Sequence, residues 1–233
     1  MEILTTAIAL ILSGDGDLFS IIGLSLRVSL CATALAAALA IPAGAALAIL
    51  RFPGRRLVLV IGTAFMALPP VVVGLAVYLL LSRSGPLGPL GLLFTPTAMI
   101  IAQTILIFPI VLSLTHQAVH PLYREYGSLF NALDTPRQLQ VRTIIWDARF
   151  AVSVAVLAGF GRALAEVGAV IIVGGNINGL TRVMTTTIAL ETSKGNLTLA
   201  LALGLVLISI AFGINFLTHA VARTGEKYQS VRS

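Results

Sequence analysis

Residues 96–117 read PTAMIIAQTILIFPIVLSLTHQ, a stretch without a single aspartate, glutamate, lysine or arginine. At about 1.5 Å per residue, a helix of this length covers the roughly 30 Å of a bilayer's hydrocarbon, so the segment reads as a membrane span. Four more apolar stretches of comparable length surround it, near residues 21–50, 57–82, 150–173 and 197–221. The whole chain shares their character: 58% of its 233 residues are hydrophobic and 10% charged, with a mean hydropathy of +1.01. Soluble domains do not have this composition, and lipid must be the main solvent. The expected fold class is all-α integral membrane, with about five spanning helices. Helices tolerate the ten prolines because neighbouring segments re-satisfy the backbone groups that proline frees, whereas a barrel would show short alternating segments. Pro69 and Pro70, in MALPPVVVG, and Pro109, in LIFPIV, are expected to kink their spans.

The opening MEILTTAIALILS is too short to span, carries Glu2 where a secretory signal is basic, and runs into the turn-forming SGDGD. It reads as a short interfacial helix. A net charge of +6 does not point to nucleic acid, because no basic block is interleaved with aromatics; the cations sit in short loops between apolar runs. Arg51, Arg55, Arg56, Arg124, Arg137, Arg142, Arg149, Arg223, Lys227 and Arg232 fall on one side, and Arg83, Arg182 and Lys194 on the other. That bias places the first set in the cytoplasm, with the N-terminus outside and the C-terminus inside. Cys31 alone builds neither a disulfide nor a thiolate cluster and is expected as a small buried packing residue.

No loop is long enough for a soluble module, so residues 1–233 read as one membrane domain. No GxxxxGK[ST] phosphate loop occurs, and any ATP that drives transport must be hydrolysed on another chain. No paired acids or nucleophile–base set lies at a common depth, which gives no catalytic residues and disfavours an intramembrane enzyme. A secondary transporter is disfavoured by the lack of an internal repeat. His116 and His120 have a helical metal-ligand spacing but no third ligand nearby, so no metal site is expected. Gln103, a lone polar group in its span, suits an interhelical hydrogen bond.

Two blocks carry the function. Residues 122–149, LYREYGSLFNALDTPRQLQVRTIIWDAR, are polar, basic and too long for a tight turn. Asp134, Thr135 and Pro136 look like a helix break and restart, since Asp or Thr caps orphan amides and Pro suits a first turn. Two short helices joined by a turn would result, either as an ordinary connection or as an element that docks on a soluble partner. Residues 161–196 read GRALAEVGAVIIVGGNINGLTRVMTTTIALETSKGN. Arg162 and Glu166 share a helix face and form an ion pair that lowers the cost of charge at membrane depth, as a structural pair or as part of a gate. Gly174, Gly175, Asn176, Asn178 and Gly179 break the apolar pattern, as a plain turn or as a loop that offers amides to an anion. Arg182 with Thr185, Thr186 and Thr187 supplies a charge and hydroxyl donors suited to a tetrahedral oxyanion, which has only acceptors; helix packing is the other reading of the threonines.

Both blocks resemble the membrane-spanning permeases of binding-protein-dependent ABC importers of the molybdate, tungstate and sulfate type. These carry a cytoplasmic motif of EAA, three residues, G, nine residues and I-x-L-P. With its glycine on Asp134, the motif starts on Ser128, Leu129 and Phe130, its isoleucine falls on Ile144, and its Leu-Pro falls on Trp146 and Asp147. ALDTPRQ and TIIWDAR are similar to the tungstate branch. In the second block the family's pattern maps onto Arg162, Glu166, Gly168, Ala169, Gly175, Asn176, Ile177, Gly179, Thr181 and Arg182, and VGGNINGLTRVMTTTIALETSKG resembles the tungstate members more closely than the molybdate members. The resemblance implies the type I importer transmembrane fold and a homodimer. It implies two ATPase subunits, which hold ATP and Mg so that this chain needs no cofactor, and an extracytoplasmic oxyanion-binding protein. Ser128, Leu129, Phe130, Asn131, Ala132, Leu133, Asp134, Thr135, Pro136 and Arg137 become the coupling segment, and Arg162, Glu166, Asn176, Arg182 and Thr185–Thr187 the pathway or gate. The implied cargo is tungstate, with molybdate, sulfate or another small anion as the alternative.

Overall fold

The computed structural model describes residues 2–50 and 52–230, and Arg51 and Arg232 of the basic side lie outside them. The described chain is helical: α1 (Glu2–Leu12), α2 (Gly16–Ile49), α3 (Arg55–Phe65), α4 (Pro70–Leu81), α5 (Pro96–Ala132), α6 (Arg137–Asp147), α7 (Arg149–Leu164), α8 (Gly168–Gly174), α9 (Met184–Lys194) and α10 (Leu197–Ser230), with a 3-10 turn at Gly88–Leu90. Asp15 starts α2 by accepting the Leu18 amide at 2.9 Å, an ordinary N-terminal cap.

Three helices, α2, α5 and α10, are each long and apolar enough to cross a membrane, and the count is five if each of two bent pairs is one span. The bent pairs depart from the sequence expectation. The stretch 57–82 is not one kinked helix: α3 ends at Phe65 and α4 starts anew at Pro70. Two consecutive prolines explain this. Pro69 is held extended (ψ 124) by the ring of Pro70, which itself takes the first position of α4; the pair therefore ends one helix and starts another. The stretch 150–173 likewise stops at Leu164 and resumes at Gly168, while α7 instead pairs with α6 at a 73° bend. Pro109 and Pro121 stay inside α5.

Exposed apolar side chains cover the outside, among them Phe212 at 72% and Phe216 at 78%, as lipid requires and water forbids. Cys31 corrects another expectation: it is exposed. The buried stripe of α2 is Ala32, Ala36 and Ala40, small residues four apart that let backbones approach, and Cys31 falls one position off it.

The contacts divide the chain into two compact units, one built from residues up to Ala32, Pro69–Ile105 and Gly161–Gly213, the other from Thr33–Leu68, Leu106–Phe160 and Ile214 onward. In the first, α4 packs on α8 so closely that a Cβ on Gly74 would stand 2.7 Å from Ala169 Cα. The amide of Phe94 donates to the Val173 carbonyl at 2.9 Å, and the Phe94 ring meets Tyr78 edge-on at 6.3 Å.

The second unit has a core of Ala45, Ala48, Ile49, Val119, Phe130, Ile144, Ala148 and Val152. Gly44 brings α2 against α5: a Cβ there would lie 2.6 Å from the Leu112 carbonyl oxygen. Arg149 donates to the Trp146 carbonyl at 2.8 Å, and its guanidinium stands over the rings of Trp146, Phe150 and Tyr228 at 5.1, 4.6 and 4.4 Å. These cation–π contacts fasten the end of α10 to the α6–α7 corner.

Candidate functional site

Phe130 and Ile144 fix the geometry of the 122–149 stretch. Both are buried in the second unit's core, which ties the end of α5 to α6. The two-short-helices expectation is corrected in its first half: α5 runs unbroken to Ala132, and only α6 is short. Between them Asp134 adopts a left-handed conformation, φ 48. The Thr135 amide donates to Phe130 O at 3.0 Å and the Asp134 amide to Asn131 O at 3.3 Å, the paired bonds of a Schellman helix stop. The break and restart fall where expected, between Ala132 and Arg137, and only the expected side-chain cap is corrected. Pro136 occupies the N-cap of α6 and no side chain caps it; Asp134 ends α5 instead, and Gln140 secures the turn by donating to the Thr135 carbonyl at 2.8 Å. Asp134 is where the importer motif's glycine aligns. That position needs positive φ, which glycine adopts freely and Asp tolerates. Ser128 to Ala132 form the last turn of α5, Leu133 to Thr135 the bend, and Arg137 opens α6. With Phe130 and Ile144 turned inward, Leu129, Leu133, Leu139 and Trp146 are left exposed.

The second block is assembled inside the first unit around a buried carboxylate. Glu166 stands in the break between α7 and α8 and is 3% exposed. Its Oε2 accepts from Arg162 Nη1 at 2.6 Å and its Oε1 from the Ala169 amide at 3.0 Å. One oxygen thus holds the ion pair while the other caps the short helix α8. The Arg162 side chain is 37% exposed, so the pair has a buried anion and a half-open cation.

Thr185 Oγ1 donates to the Glu166 carbonyl at 2.8 Å. Thr186 Oγ1 accepts from the Val183 amide at 3.2 Å and lies 2.9 Å from Asn176 Oδ1. Thr187 Oγ1 donates to the Val183 carbonyl at 2.7 Å. All three threonines are buried, and their hydroxyls hold the start of α9 to its surroundings. Ser25 on α2 caps α9 as well, accepting the Met184 amide at 2.7 Å; a contact across 159 positions leaves no sequence signal. Asn176 takes a left-handed turn, φ 51. Thr181 locks the same loop, donating to the Gly174 carbonyl at 2.6 Å and accepting from the Ile177 amide at 2.9 Å. Arg182 is half-buried. Its Nη1 donates to Asn178 Oδ1 at 3.2 Å, and its Nε is buried without a partner among the described residues.

Gln103 makes the interhelical bond its position suggests, donating from Nε2 to the Ala163 carbonyl at 3.0 Å. In the second unit the rings of His116 and His120 are 5.4 Å apart, and Arg55 Nη2 stands 3.4 Å from His116 Nε2. A guanidinium there repels any cation the two rings would bind.

At the end of α9, Glu191 accepts from Lys194 at 3.0 Å and from Asn196 Nδ2 at 3.0 Å. The hydrogen bond from Lys194, then that from Asn196, holds its carboxyl below the ordinary 4.5 against the opposing effect of burial. A lowered folded value means stability that is complete above the ordinary carboxylate range and is lost as pH falls through the folded value. Glu191→Gln is therefore expected to leave the unfolding midpoint at pH 4 closer to that at pH 7 than in the unsubstituted chain. Thermal melts at both pH values check this, and an identical pH dependence would show that the hydrogen bonds do not discriminate the charged form.

Three curated proteins are similar over most of the chain. The tungstate uptake system permease protein TupB of Peptoclostridium acidaminophilum is 44% identical over 215 residues, 92% of this chain and 94% of that protein. The probable anion ABC transporter permease protein of Haloferax volcanii is 43% identical over 206 residues, 86% of this chain and 88% of that protein. The tungstate uptake system permease protein TupB of Campylobacter jejuni is 43% identical over 173 residues, 74% of this chain and 72% of that protein. No family model matches the chain. Identity at this level over 74–92% of the chain is far beyond what shared hydrophobic composition produces, and on it the chain belongs to the ABC transporter permease family that includes these tungstate-uptake and anion permeases.

Proposed function

We propose that this permease forms the translocation pathway of an ATP-driven importer for tungstate. The observation that carries the reading is the 43–44% identity to two proteins named as tungstate uptake permeases. The chain works as a homodimer beneath an extracytoplasmic oxyanion-binding protein, and two ATPase subunits hydrolyse ATP, with its Mg, on the cytoplasmic side. This chain itself holds no cofactor and makes or breaks no covalent bond. Its N-terminus is outside and its C-terminus inside, as the bias of loop cations requires.

Residues 122–149 are the coupling segment. The exposed Leu129, Leu133, Leu139 and Trp146 give the ATPase an apolar surface, and the inward Phe130 and Ile144 pass its motion into the second unit as a rigid lever. Arg162 and Glu166 are the gate, an ion pair with one half-exposed partner that can exchange its contact. Arg182 is the pathway residue with donors to spare, while Asn176 and Thr185 to Thr187 hold the loop that carries it.

Reconstitution of the chain with its ATPase and binding protein tests the reading. ATP-dependent uptake of tungstate in preference to molybdate and sulfate is expected, falling severalfold in Arg182→Ala with assembly intact. Preference for molybdate or sulfate would move the cargo within the oxyanions, uptake driven by an ion gradient without ATP would replace the importer reading, and unchanged uptake in the variant would remove Arg182 from the pathway.

A further inference from the structure

Gln103 is 4% exposed, yet its Oε1 has no hydrogen-bond partner among the described residues. The amide cannot simply be turned over. Its Nε2 donates to the Ala163 carbonyl, and exchanging the two atoms would set two carbonyl oxygens against each other. Gln103 lines a cavity of ≈ 10 Å³ together with Ser25, Val28, Ser29, Glu166 and Thr185. A single water needs about 10–15 Å³, so the space is of the size of one water.

The lining chooses the guest. Ser25 spends its hydrogen on the Ile21 carbonyl and Thr185 spends its own on the Glu166 carbonyl. Both hydroxyls of these lining residues are then left as acceptors, and the Glu166 carboxylate and Gln103 Oε1 are acceptors too. Only a donor satisfies such a set. A metal cation would do so at the cost of charge: Arg162 already neutralises Glu166, and an added cation would leave a net positive charge buried, which is far more costly than a neutral guest. An oxyanion, all acceptor, is repelled.

We infer that this cavity is a built site for one water molecule, which donates to Gln103 Oε1 and to a second acceptor of the Glu166 break. It joins α5 to the segment that carries the ion pair, and Gln103 anchors it from one side.

Val28 is buried and lines the cavity, so Val28→Ile in the full chain, in lipid nanodiscs, fills the water's space. Displacing the water leaves Gln103 Oε1 unsatisfied, and the unfolding midpoint is expected to fall by roughly 3–6 °C. In the Gln103→Met background the one acceptor without another partner among the described residues is gone, since Glu166 and Ser25 accept from Arg162, Ala169 and Met184, and the same substitution is expected to cost much less or to stabilise. An equal fall in both backgrounds would mean overpacking, and a rise in the unsubstituted background would mean a dry cavity; either overturns the proposal. A midpoint that depends on sodium or potassium against choline, and loses that dependence in Gln103→Met, would overturn water in favour of a cation.

Discussion

Glu166→Ala is expected to lower the thermal unfolding midpoint by roughly 6–12 °C. The carboxylate is buried while Arg162 is 37% exposed, so the variant leaves an arginine that water can partly reach. The 3–5 kcal/mol lost when one partner of a fully buried pair is removed is therefore discounted to about 2 kcal/mol. Loss of the cap on the Ala169 amide adds about 1 kcal/mol. Glu166→Gln keeps a carbonyl for that amide and an acceptor for Arg162, and should retain about half of the lost stability. Melts of the purified protein in lipid nanodiscs decide it: a midpoint unchanged in the alanine variant would mean that the pair is solvated and that α8 does not depend on its cap. A gate role adds a second expectation, that the glutamine variant loses more uptake than its stability explains.

Gly74→Ala is expected to cost about 2 kcal/mol, although alanine is the better helix former by about 1 kcal/mol. The added Cβ would lie 2.7 Å from Ala169 Cα and 3.2 Å from Ala169 O. Both are backbone atoms, so no side chain can swing away and α4 must move off α8. Gly204 is the control, because a Cβ there meets nothing within 4 Å; Gly204→Ala should keep the helix-propensity gain. Equal midpoints for the two variants would show that the α4–α8 approach is not a tight constraint. Since α8 begins at the Glu166 cap, loss of the approach should also weaken the Arg162–Glu166 pair, which ties packing in the first unit to the proposed gate.

The two substitutions concern features of different legibility. The Arg162–Glu166 spacing is visible in sequence because partners four apart meet on any helix, and the structure closes the pair at 2.6 Å. It does so at a helix end, where the same carboxylate also caps α8. Gly74 gave no signal: a glycine in an apolar helix is equally at home facing lipid, and only the presence of Ala169 opposite makes it obligatory. The threonine run shows the same limit. Three successive hydroxyls suggest an anion site, but their donors are spent on Glu166, Asn176 and Val183, partners that a linear reading cannot assign.

Hydropathy and loop charge, both local sums over consecutive residues, were enough to determine that this chain is a helical membrane protein, where its apolar segments lie, and which short blocks depart from the apolar rule. The tertiary structure alone decided that the double proline ends α3 and starts α4 as separate helices, that Asp134 takes the left-handed position ending α5, that Cys31 is exposed, and that Ser25 and Gln103 line a polar cavity with Glu166. Each depends on which backbone or side chain arrives from far along the sequence. In a chain whose surface and interior are equally apolar, hydrophobic pattern cannot tell a lipid-facing side chain from a packed one, and packing and hydrogen-bond satisfaction make that choice.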